Sequence, residues 1–126
     1  MNRGEAIAFA EQKGSIFEKK KCVHFANVSH TTNKSVWWLD IPISKIVDGI
    51  CTNLSIILHN AEERSLMVLE VPIKEMKEHL SEFSTRTHKD IEFISLELTL
   101  DSIKDVRPKG SNIAFKQYVN NTYETI

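Results

Sequence analysis

Two carboxylates occupy the same place in two similar stretches, and they are the first residues of this chain whose setting could do chemistry. Asp40 stands two residues before Pro42 in Trp37-Trp38-Leu39-Asp40-Ile41-Pro42, and Glu70 stands two residues before Pro72 in Val68-Leu69-Glu70-Val71-Pro72. An acid at the end of an apolar strand can hold a divalent cation or move a proton when a second acid meets it. Asp40 and Glu70 therefore form a candidate acidic pair if the two stretches pack side by side. Taken singly, each reads as a solvated strand end, or as an acceptor for the N–H groups of the following helix.

A second group is cationic and aromatic. The segment 101–110, DSIKDVRPKG, offers Lys104, Arg107 and Lys109, with Lys116 nearby, as a clamp for a phosphate or an acidic partner. Trp37 and Trp38 are adjacent, so in a strand they point to opposite faces. One belongs to the core, and the other is a candidate anchor for a partner. Trp37, Trp38, Lys104, Arg107 and Lys109 are the expected binding residues.

Other chemistries lack their spacing. Cys22 and His24 share a strand face while His30, Cys51 and His59 lie elsewhere, with neither a C-x-x-C pair nor an H-E-x-x-H helix. No serine sits in G-x-S-x-G and no glycines form G-x-x-x-x-G-K. The expectation is a non-enzymatic chain with no metal or cofactor. The order helix, strands, helix, strand is the one used by metal-dependent nucleases of the PD-(D/E)XK kind. Those enzymes need a lysine two residues after the second acid, and here Pro42 and Pro72 stand in that place.

The elements that must position these residues centre on residues 54–83. Apolar runs Ile56–Leu58 and Leu66–Leu69 flank the polar cluster Asn60–Arg64, which reads as a hairpin. Pro72 ends the second run and suits the first turn of a helix, whose stripe is Ile73, Met76, Leu80 and Phe83. Trp38–Ile46 aligns with Val68–Met76 at an offset of 30 residues, so two tandem ββα units are expected. Residues 2–13 read as a helix with an Asn2/Glu5 capping box and Gly14 as its stop. Strands are expected over 22–28, 35–41 and, by strict alternation, 94–100. Residues 84–89 read as a polar connection, residues 111–119 as a short terminal helix, and 120–126 as a frayed end. The fold class is α+β: one domain, 1–126, with a single mixed or antiparallel sheet of about five strands under helices.

Composition narrows the function. Of 126 residues 41% are hydrophobic and 26% charged, which suits a globular chain, and the formal net charge of -1 argues against a general nucleic-acid binder. The N-terminal residues do not form a signal peptide, no apolar run is long enough for a membrane span, and two cysteines make no disulfide framework. Free thiols in the cytoplasm are expected. The leading reading is a small intracellular binding or adaptor protein that acts through protein–protein contacts, with self-association as a homodimer through sheet edges. The alternative is a divergent nucleic-acid-binding or nuclease-like protein that uses Asp40, Glu70 and the Lys104–Lys109 loop.

Overall fold

The computed structural model describes every residue except 32, 108 and 109, and the backbone alone at 31. Helix α1 (Arg3–Gln12) begins where its cap predicts. The Asn2 side chain accepts from the Glu5 amide at 2.8 Å, and the Glu5 carboxylate accepts from the Asn2 amide at 2.9 Å. Gly14, at φ 113°, supplies the left-handed residue that lets the chain turn off the helix.

Strands β1 (Val23–Thr31) and β2 (Lys34–Pro42) are followed by the short helix α2 (Ser44–Val47). Strands β3 (Asn53–Asn60) and β4 (Ser65–Pro72) are followed by α3 (Ile73–Glu78) and a 3-10 turn over Leu80–Glu82. Then come β5 (Ser84–His88), β6 (Ile91–Thr99), a 3-10 turn over Phe115–Tyr118, and β7 (Val119–Glu124). They form one mixed sheet in the order β5-β6-β2-β1-β3-β4-β7.

The sheet changes partner in the middle of β1. Residues Val23–Asn27 run parallel to β3, whereas Val28–Thr31 run antiparallel to β2. One strand thus joins two groups of strands, and both groups turn apolar side chains to a shared core. Trp37, Leu39 and Ile41 of β2, Leu54, Ile56 and Leu58 of β3, and Ile94, Leu96 and Leu98 of β6 meet Ile46, Met76, Phe83 and Phe115 there. On the opposite face α1 lays Ala6, Ile7 and Ala10 over Val23, Ile57, Leu66 and Val68.

Seven strands stand where about five were expected. The connection at 84–89 holds β5, whose residues are nearly all exposed and so give no apolar alternation. Lys89 and Asp90 both take positive φ, 49° and 63°, the backbone of a two-residue primed hairpin turn. The terminal segment keeps only one 3-10 turn and then pairs with β4 as β7, instead of fraying.

The cysteines also differ from expectation. Cys22 and Cys51 are joined in a disulfide and neither thiol is free. Parallel pairing is the reason, since each cysteine lies just ahead of its strand and β1 and β3 are neighbours that start at the same end of the sheet. The Cys22–His24 zinc arrangement therefore has no thiolate to offer. Among the described residues no group of three metal-ligating side chains converges. No helix among them is long and apolar enough to cross a membrane.

Candidate functional site

Alternation along β2 sends Trp37, Leu39 and Ile41 inward and leaves Trp38 and Asp40 on the outer face. Trp37 is 1% exposed, and its indole N–H donates to the His59 carbonyl at 3.0 Å. It is a core residue and cannot touch a partner. Trp38 is 36% exposed, so it is the tryptophan of the two that reaches the surface.

Beside Trp38 and Asp40, the neighbouring strand β6 contributes Glu97 and Ser95 in direct register. Two arginines approach this patch from the far edge of β6. Arg86 of β5 pairs in register with Phe93, lies over its ring at 5.7 Å, and reaches Asp40 with an Nη2–Oδ2 distance of 2.8 Å. Arg107 comes from the loop after β6, and its guanidinium lies over the Trp38 ring with Cζ 5.2 Å from the centroid. Trp38, Asp40, Arg86, Ser95 and Arg107 together line a shallow depression of about 390 Å³.

The loop that carries Arg107 is pinned by Asp105, which is 3% exposed. Its Oδ1 accepts from the Glu97 amide at 3.3 Å and the Arg107 amide at 3.2 Å, while its Oδ2 accepts from the Ser111 amide at 3.1 Å. The Val106 amide adds a backbone bond of 2.8 Å to the Glu97 carbonyl. The loop thus continues along β6 from where β5 stops, and this brings both arginines to one side of the sheet. Next to them the Lys34 ammonium pairs with the buried Glu97 carboxylate, so that acid is neutralised within the fold.

The charges in the depression do not cancel. Arg86 has Asp40 as its counterion, whereas Arg107 lies over the indole face and makes no ion pair among the described residues. The buried Nε of Arg107 has no hydrogen-bond acceptor among the described residues. A half-buried guanidinium with donors left over carries an electrostatic cost that an anion would relieve.

The structure brings together only some of the expected site residues. Trp38, Asp40 and Arg107 share the depression, Arg86 and Ser95 join them, and Asp105 supports the loop from beneath, the last three without a signal in their local sequence. Lys104 is exposed and lines a different hollow with Ser102, Ile103 and Ser111–Ala114. Lys109 lies outside the described residues. Asp40 and Glu70 do not meet. Their strands are three intervals apart in the sheet order, about 14 Å along it, and each acid has its own partner.

Glu70 belongs to a second hollow, of about 250 Å³, lined by Glu18, Lys19, the disulfide, Asn53, Ser55 and Asn120. The Ser55 hydroxyl lies 2.8 and 2.9 Å from the two Glu70 oxygens. Burial pushes the Glu70 carboxyl above its ordinary pKa, with the Ser55 bond opposing the rise. No family model matches this chain, and no curated protein or solved structure does either.

Proposed function

We propose that this protein is a non-enzymatic binding module whose docking surface is the outer face of β2, β6 and the 105–107 loop, centred on Trp38. The observation that carries this reading is the Arg107–Trp38 contact at the surface, a large indole under a cation whose buried Nε has no acceptor among the described residues. Tryptophan and arginine are the side chains from which protein–protein contacts draw most of their energy. The rigid strand beneath Trp38 and the Asp105 bonds beneath Arg107 hold both in place before a partner arrives, which lowers the ordering cost of association.

The surface favours a protein over a nucleic acid. A nucleic-acid groove needs a row of cations, yet Lys34 is engaged by Glu97, Arg86 by Asp40, and Lys104 faces another hollow. The paired cysteines fit an oxidising compartment better than the cytoplasm. We read the 30-residue offset between the two hairpin–helix segments as an internal duplication.

The test is affinity capture from the source cells with the wild-type chain, Trp38→Ala, and Lys21→Ala, an exposed lysine that does not line the depression, as control. A protein retained by wild type and Lys21→Ala and lost with Trp38→Ala supports the reading. Retention by all three, with the fold intact by circular dichroism, refutes it.

A further inference from the structure

We infer that the depression between Arg107 and Arg86 is a receptor for a carboxylate, so that the docking partner is an acidic peptide segment. This rests on the reading of the Trp38 face as a docking surface and adds the chemical class of what binds there. Trp38 lies on one side of the Arg107 guanidinium, and a guanidinium binds carboxylates through its N–H groups in the two-bond mode that fixes position and direction. The buried Nε supplies the second, independent sign, a donor that the chain itself leaves unmet among the described residues.

Charge selects between anions. The Asp105 carboxylate lies buried beneath, held by three backbone amides, and among the side chains that line the depression two guanidiniums against the single Asp40 carboxylate leave one net positive charge. That matches the single charge of a carboxylate. A phosphoryl group, at about −1.5 to −2 near neutral pH, would be under-compensated and repelled by Asp40. The indole beside the arginine gives the methylene stem of a glutamate, or the backbone next to it, an apolar wall. Asp40 acts as the resident anion. It holds Arg86 across β6 at 2.8 Å, and an incoming carboxylate competes with it for that guanidinium.

The experiment uses the full chain and four fluorescein-labelled probes: hexaglutamate, hexaglutamine, a phosphoserine peptide and a single-stranded oligonucleotide, titrated by anisotropy at low and moderate salt. Hexaglutamate is expected to bind more tightly than the other three and to weaken with salt. Arg107→Gln should lower its affinity by about tenfold or more, Arg107→Lys should restore only part of it because the planar fork is gone, and Asp40→Asn should raise it.

Several results would overturn the inference: hexaglutamate binding equal to that of hexaglutamine, tighter binding of the phosphoserine peptide or the oligonucleotide, or Arg107→Gln behaving as wild type. If hexaglutamate fails while capture of a protein still depends on Trp38, the carboxylate receptor is wrong and the docking surface stands. If capture is independent of Trp38, the docking surface itself falls.

Discussion

Asp105 and Arg107 are bound through a single atom, the Asp105 Oδ1, which accepts the Arg107 amide at 3.2 Å and fixes the backbone from which the guanidinium extends over Trp38. The same carboxylate also satisfies the Glu97 and Ser111 amides, so the loop's conformation depends on one buried side chain. Asp105→Ala leaves these amides without their acceptor and should cost about 2–4 kcal/mol. Urea unfolding gives the energy, and faster amide exchange at Arg107 and Ser111 than elsewhere gives the location. Uniform exchange would contradict the pinning role.

The two tryptophans should separate cleanly. Trp37→Ala opens a cavity under β2 and strands the His59 carbonyl, for a loss of roughly 3–5 kcal/mol. Trp38→Ala should leave thermal stability within about 1 kcal/mol, since the residue is partly exposed. In the wild-type chain acrylamide should quench only the Trp38 share of the emission, and in Trp38→Phe the remaining emission should resist it.

The Cys22–Cys51 link closes a segment with a sequence separation of 29 residues. On a chain-entropy basis its loss should lower stability by about 3–4 kcal/mol. Comparing Cys22→Ser/Cys51→Ser with wild type under oxidising and reducing conditions checks this. The double variant should match reduced wild type, and no difference between the oxidised and reduced wild-type chains would show that the link adds nothing.

His24 gives a pH signature. Burial lowers its pKa from 6.5 to about 4, with Arg3 and Lys45 adding repulsion. Its Nε2 is buried without a partner among the described residues. The neutral ring is the folded form, so between pH 6.5 and 4 the unfolded chain binds the proton first and stability falls as pH falls. The full loss is on the order of 3 kcal/mol. His59, also lowered by burial, acts in the same direction. His24→Leu should flatten most of the slope in denaturant midpoint over that window, and an unchanged slope would assign it elsewhere.

The Asp40–Arg86 pair should matter little for stability. Both side chains are substantially exposed, so Asp40→Asn should change the unfolding free energy by no more than about 1 kcal/mol, and by less in high salt. A larger loss would mean that the pair holds β5 in place.

What could be read from the sequence follows how local each signal is. The Asn2/Glu5 cap, the β3–β4 hairpin around Asn60–Arg64 and the opposed tryptophans rest on neighbours within a few residues, and all are present. β5 could not be found this way. Its residues are polar on an open edge, and its turn uses Lys89-Asp90 where positive φ usually calls for asparagine and glycine. The disulfide depends on the parallel alignment of β1 with β3, a non-local event. The site was half visible. Trp38, Asp40 and Arg107 stand out by type, but Arg86 is hidden in that unrecognised strand, and Asp105 looks like one more loop charge until its burial is known.

β7 occupies the long side of β4, whose sequence Ser65-Leu66-Met67-Val68-Leu69-Glu70-Val71-Pro72 is the most apolar edge the sheet could present. With residues 119–126 removed, those N–H and C=O groups would face solvent as an open template for other chains. β7 thus acts as a guard against aggregation, and its loss would turn β4 into a template for intermolecular β-stacking.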